Sequence, residues 1–282
     1  VKMGTHVSNV FTIAKLLPLI ILVIVGLVFF HVHGSPVSSL SGQHSTSTWL
    51  SAILLLIYAF SGFESALIPA GEVKNPGRNI PLSLMVALPV VAVIYFLVQV
   101  VVVRSLANPA EVARPLSAAA SVLGGNTMAT IIALGALLST FGSLAANMIA
   151  NPRVTFAFAE QGDFPPFFAS IHRRYQTPYV SIIVFAVVLW ALAVLGTFRW
   201  NATLSAISRL FVYVVACAAL PVLRKTHPGQ KTFHLPGGVM FAALGILFAL
   251  LLASRMGSAE LLALAITAGL SFMNWIAVRR SA

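Results

Sequence analysis

Acidic residues are nearly missing: Asp and Glu together number six in 282 residues, and charged residues of both signs make up only 8%. A soluble domain carries about 25% charge, so this chain cannot cover a globule with polar surface. The same scarcity excludes a disordered chain, held open by charge and low hydrophobicity, and a coiled coil. One cysteine, Cys217, cannot form an internal bridge, which excludes a disulfide-stapled secreted scaffold. No phosphate-binding glycine loop, Ser-His-Asp set or Cys cluster is present, so neither enzyme chemistry nor a cofactor is expected. His31 and His33, with His44, give a lone His-x-His in a Ser-rich stretch, which seldom makes a metal site.

What is abundant is apolar length. Hydrophobic residues reach 59%, and mean hydropathy is +0.97. Eight blocks approach the roughly 20 apolar residues that cross hydrocarbon: Val10–Phe30, Trp49–Ala70, Leu82–Val103, Thr127–Ala150, Pro178–Leu195, Ala202–Leu223, Gly238–Ser254 and Ala259–Val278. They are too uniformly apolar for soluble strands and lack the alternation of an outer-membrane barrel. The expectation is an all-α polytopic membrane protein, residues 1–282 forming one transmembrane domain. The fourth block should run on to Phe158 before Gly162 and Pro165 stop it. Leu116–Leu123 is expected as a short outer helix, and Asp163–Ser170 as its cytoplasmic counterpart.

A net charge of +11 would suit nucleic acid, but the basic residues sit in short loops between apolar blocks and form no patch. The lipid bilayer is therefore the expected partner, and nucleic acid is not. Lys2, Lys74, Arg78, Arg153, Arg173, Arg174, Arg224, Lys225, Lys231, Arg279 and Arg280 fall on one side. Arg104, Arg114, Arg199 and Arg255 fall on the other, while Lys15 and Arg209 lie inside blocks. Lys and Arg favour the cytoplasmic side of short loops, so both ends should be cytoplasmic and the linker His31–Thr48 outside. The chain opens on Val-Lys-Met-Gly and enters a span without a cleavage site, as a piece of something longer would.

The second block is unlike the rest. Tyr58-Ala59-Phe60-Ser61-Gly62-Phe63-Glu64-Ser65 brings a glycine, two serines and a carboxylate to mid-membrane depth. A helix broken there frees carbonyls and amides that hydrocarbon cannot satisfy, so the break must face protein or a polar cavity. Freed carbonyls suit an ammonium and freed amides a carboxylate. A plain kink, with Glu64 hydrogen-bonded to a neighbour, is the alternative. An intramembrane carboxylate is a functional candidate by default.

Phe60-Ser61-Gly62-Phe63-Glu64, followed by Glu72-Val73-Lys74-Asn75-Pro76-Gly77-Arg78-Asn79-Ile80-Pro81, resembles the sixth helix of amino acid permeases and the loop after it. Those permeases belong to the amino acid–polyamine–organocation (APC) superfamily. Asn151-Pro152-Arg153 through Phe164-Pro165, then Tyr175-Gln176-Thr177-Pro178, is similar to the end of that family's eighth helix and its next loop. Phe11-Thr12-Ile13-Ala14-Lys15-Leu16-Leu17-Pro18 is similar to its fifth helix. The resemblance implies helices five to twelve of a LeuT-like inverted-repeat transporter, incomplete because the first four helices are missing. It implies secondary active amino acid transport, proton-coupled, by alternating access around the break, in a cell (plasma) membrane of the bacterial inner-membrane type. Because the family's site is shared with its first helix, the chain alone is not expected to transport. An exchanger, a polyamine transporter, a channel-like or scaffold subunit, and an inactive truncated fragment remain alternatives.

By the same resemblance the substrate would meet Tyr58, Ala59, Phe60, Ser61, Gly62 and Phe63: the carbonyls of Tyr58, Ala59 and Ser61 accept its ammonium, and Phe63 covers it. The bland alternative for both aromatics is packing. Lys15 lies about 7–9 Å into its block at 1.5 Å per residue. It either snorkels back to the interface or carries the coupling proton, as a lysine here does in the proton-coupled permeases it resembles. Glu64 is either a second proton-sensitive group or a hydrogen-bonding pin for the broken helix. Arg209 either snorkels outward or meets a carboxylate, that of Glu64 or of the substrate. Gly135, Ser139, Ser143 and Asn147 recur every four residues, a stripe that lets helices pack closely. Asn147 also matches a family position near the substrate side chain.

Overall fold

In hydrocarbon, backbone groups must be satisfied within the chain, and a continuous apolar run does so as a helix. The computed structural model describes residues 2–33, 45–64, 73–226, 236–254 and 256–281. Most of the expected outer linker, together with Ser65, Pro69, Glu72, Lys231 and Arg255, lies outside the described residues. Among the described residues the helices are α1 (Lys2–His33), α2 (Thr46–Ala59), α3 (Pro76–Ser105), α4 (Pro115–Glu160), α5 (Tyr179–Leu195), α6 (Phe198–Thr226), α7 (Gly238–Ala253) and α8 (Ser258–Ser281). Each apolar block holds one of them.

Among the described residues four stretches are long and apolar enough to cross a membrane by length and composition: Ile13–His33, Pro76–Ser105, Pro115–Glu160 and Phe198–Thr226. The apolar helices Thr46–Ala59, Tyr179–Leu195, Gly238–Ala253 and Glu260–Ile276 are shorter. Large apolar side chains stand in the open, with Phe141 71%, Trp190 68% and Leu195 86% exposed. A water-soluble surface does not carry apolar area on that scale, and a lipid-facing one does. This is an integral membrane protein.

The chain divides into two compact units, Val1–Gly42 with Val86–Ile149, and Gln43–Met85 with Ala150–Ala282. In the first, α4 is two helical arms joined at Gly124 and Gly125. Gly125 stands at φ 68, ψ −165, a region essentially confined to glycine. The short arm, matching the expected Leu116–Leu123 helix, folds back so that Ser117 Oγ donates to the Ala129 carbonyl at 3.3 Å. Ala120 and Leu123 then join Leu22, Phe30, Val101, Met128 and Ile132 in one core. In the second unit, Leu54 of α2, Ala206, Ile207 and Leu210 of α6, and Ala249 and Leu252 of α7 form the core.

The C-terminal end of α4 follows from one glycine. Gly162 takes φ 83, its N–H donates to the Ala159 carbonyl, and the Asp163 N–H reaches back to Phe158 at 2.8 Å. That pair of bonds is a Schellman cap, and it carries the helix to Glu160, two residues beyond the expected Phe158. Asp163–Ser170, expected as a short helix, holds a single 3-10 turn, Pro166–Ala169. The correction has a simple cause: consecutive Pro165 and Pro166 remove two donors and bias the chain away from α.

Gly26 shows how tightly the first unit is closed. A Cβ there would stand 2.7 Å from both methyl carbons of Val101, which is fully buried. Gly26→Ala is expected to destabilise the purified protein by about 1–3 kcal/mol through overpacking, with Val101→Ala in the same chain returning part of the loss. Thermal unfolding in detergent measures both, and an unchanged midpoint in Gly26→Ala would contradict the packing.

Candidate functional site

The α2 helix starts on a Ser45 cap, whose Oγ accepts from the Thr48 N–H at 3.4 Å, and stops after 14 residues. Its last regular bond runs from the Phe60 N–H to Leu56 at 2.9 Å. The Ser61 N–H turns instead to the Tyr58 carbonyl at 3.1 Å, and Ser61 Oγ donates to that same oxygen at 2.6 Å. Gly62 then takes φ 109, a conformation that costs glycine little and any side chain much. The carbonyls of the final turn thus lose their i+4 amides, and the negative end of the helix dipole is left at Phe60–Gly62.

Glu64 closes the break. Its Oε2 accepts from the Gly62 N–H at 2.8 Å. Its Oε1 accepts from Arg209 Nη1 and faces the Tyr213 hydroxyl at 3.4 Å. Arg209 and Tyr213 are four residues apart on α6 and so share one face. Phe63 stacks on the Tyr213 ring, with centroids 5.7 Å apart and planes at 27°, and Tyr58 meets Phe198 edge-on at 6.0 Å. The two charged side chains are each 31% exposed. Arg209 Nε is shielded and has no hydrogen-bond partner among the described residues.

Of the expected residues, Tyr58 and Ala59 form the end of α2 and Phe60 to Glu64 the break after it, which Arg209 joins through Glu64. The Tyr58 carbonyl, expected to face an ammonium, already accepts two donors from Ser61. A ligand would reach it by displacing the hydroxyl. Tyr213 was not among the expected site residues. The signal that could have found it is its position one turn after Arg209 on the same apolar helix.

Lys15 and Asn147 lie in the other unit. Lys15 Nζ donates to Ser143 Oγ at 3.2 Å, and Asn147 Nδ2 donates to the Ser143 carbonyl at 2.8 Å. A Cβ on Gly135 would stand 2.8 Å from Pro18 Cγ. The four-residue stripe on α4 thus meets α1 through Gly135 and Ser143. A cavity of about 230 Å³ opens beside it, lined by Lys15, Pro18, Ser139 and Thr140 among others.

The chain matches the amino acid permease family over residues 1–272. It is 29% identical to the branched-chain amino acid permease BcaP of Bacillus subtilis over 91% of this chain and 55% of the relative. It is 29% identical to a methylthioribose transporter of the same organism, over 84% of this chain and 51% of the relative. Against the vacuolar cationic amino acid transporter 4 of Arabidopsis thaliana the figures are 30% identity, 64% and 30%. The chain spans about half the length of the curated relatives it matches best among these.

Gly62 allows a test by sign. Among the described residues, its chain neighbours aside, no atom lies within 4 Å of a Cβ built there, so Gly62→Ala probes backbone strain. In a continuous helix alanine would stabilise by about 0.5–1 kcal/mol; at φ 109 it is expected to destabilise by about 1–3 kcal/mol. The midpoint of thermal unfolding decides between them.

Proposed function

The chain belongs to the amino acid permease family, and from that premise we propose that it forms part of a proton-coupled secondary active amino acid transporter. The family is one of transporters and not of enzymes. The observation that carries the proposal is a helix that ends at Ala59 inside an apolar protein, with its break held by Glu64. In hydrocarbon an irregular backbone survives only against protein or a water-filled cavity, and transporters put such half-helix ends at the substrate.

In this proposal the eight apolar blocks span the bilayer, both ends face the cytoplasm, and the membrane is a bacterial-type plasma membrane. The substrate ammonium rests on the carbonyls at the end of α2, where the dipole is negative. Tyr58, Ala59, Phe60 and Ser61 supply that backbone, Gly62 lets it approach the ligand, and Phe63 covers the ligand from its stack on Tyr213. Alternating access changes which side of the membrane the break faces.

Lys15 carries the coupling proton. Its ammonium donates to Ser143 Oγ at 3.2 Å, a contact that ties α1 to α4. The branched-chain permease relative supports amino acids as substrates. The methylthioribose relative shows that solutes of another class occur among similar proteins.

The full-length protein in proteoliposomes tests this. Uptake of labelled amino acid should saturate with concentration and rise when the outside is made acidic. Lys15→Met should cut the gradient-driven component at least about tenfold, the size of one lost charge-assisted interaction. Gradient-driven uptake at the original rate in Lys15→Met would remove the coupling role, and linear flux without saturation would point to a channel.

A further inference from the structure

Among the described residues Glu64 is the one acidic residue at the break, and neither of its oxygens is idle. Oε2 is taken by the Gly62 N–H; Oε1 is taken by the Arg209 guanidinium and the Tyr213 hydroxyl. A cationic side chain arriving here finds a carboxylate already neutralised by a cation fixed on α6. The stacked rings of Phe63 and Tyr213 supply an apolar wall beside the pair.

We propose that Arg209 sets the charge class of the substrate. By pairing with Glu64 it makes the site electrically neutral, and the site takes zwitterionic amino acids with uncharged, apolar or aromatic side chains. Lysine, arginine and polyamines are refused because the Glu64 carboxylate is already paired with Arg209, which repels their extra charge. Glutamate and aspartate are refused because the Arg209 charge is answered by Glu64, whose carboxylate repels theirs. Arg209 is a specificity residue acting through Glu64. The inference rests on the transporter reading above and deepens it.

The pair makes opposite forecasts for its two halves. Removing Arg209 leaves a bare carboxylate; removing the charge of Glu64 leaves a bare guanidinium. Each change is worth about one charge-assisted contact, or about tenfold in affinity.

The experiment measures labelled leucine uptake by the full-length protein in proteoliposomes, competed with phenylalanine, lysine or glutamate. The wild type should be inhibited by phenylalanine and hardly by lysine or glutamate. Arg209→Gln should improve lysine inhibition at least about tenfold and leave glutamate weak. Glu64→Gln should do the reverse. The double variant Glu64→Gln with Arg209→Gln should exclude both again, and it keeps the test standing if Arg209→Gln alone fails to fold. Single variants that keep the wild-type profile overturn the inference, as does a wild type inhibited by lysine as strongly as by phenylalanine. A wild type that takes up no amino acid removes the transporter reading and this inference with it; leucine uptake with an unaltered profile in the variants removes this inference alone.

Discussion

A peptide N–H and a peptide C=O can leave a helix inside an apolar protein only if something else takes their hydrogen bonds. At Gly62 that partner is Glu64, whose carboxylate accepts the freed amide on one oxygen and Arg209 of α6 on the other. The arrangement links local and tertiary structure. The glycine permits the turn, the carboxylate two residues on satisfies it, and the guanidinium satisfies the carboxylate. Breaking a buried pair by removing one partner is costly because it strands the other charge. Here both side chains are partly exposed, which softens the cost.

The two compact units answer different demands. The second is built around the break, with α2 held to α6 and α7 by Leu54, Leu210 and Leu252. The first is built around close approach. Gly26 admits Val101 and Gly135 admits Pro18, as expected where lipid supplies no hydrophobic drive and helices associate by packing. Lys15, bonded to Ser143, is the charge placed within that packing.

Much of this was legible in the residues. Helices arise from every apolar block, because a run of that composition has no other way to satisfy its backbone. The break was legible too, from Ser61 and Gly62 beside a carboxylate. Its onset at Ala59, earlier than Ser61-Gly62, was not, since it depends on Ser61 capping Tyr58. The choice between outward snorkelling and a partner for Arg209 lay open because one chain position says nothing about the helix opposite. Tyr213 went unread for the same reason. Consecutive prolines at Pro165 and Pro166 should have warned against a helix over Asp163–Ser170.

The account stands or falls on the state of the backbone around Gly62 in a bilayer. A density map of the full-length protein in lipid nanodiscs measures it directly. The account requires α2 to end near Ala59, Gly62 to hold a positive φ, and Glu64 to lie between the Gly62 amide and Arg209. A helix running unbroken through Gly62, with Glu64 turned away from Arg209, would contradict it.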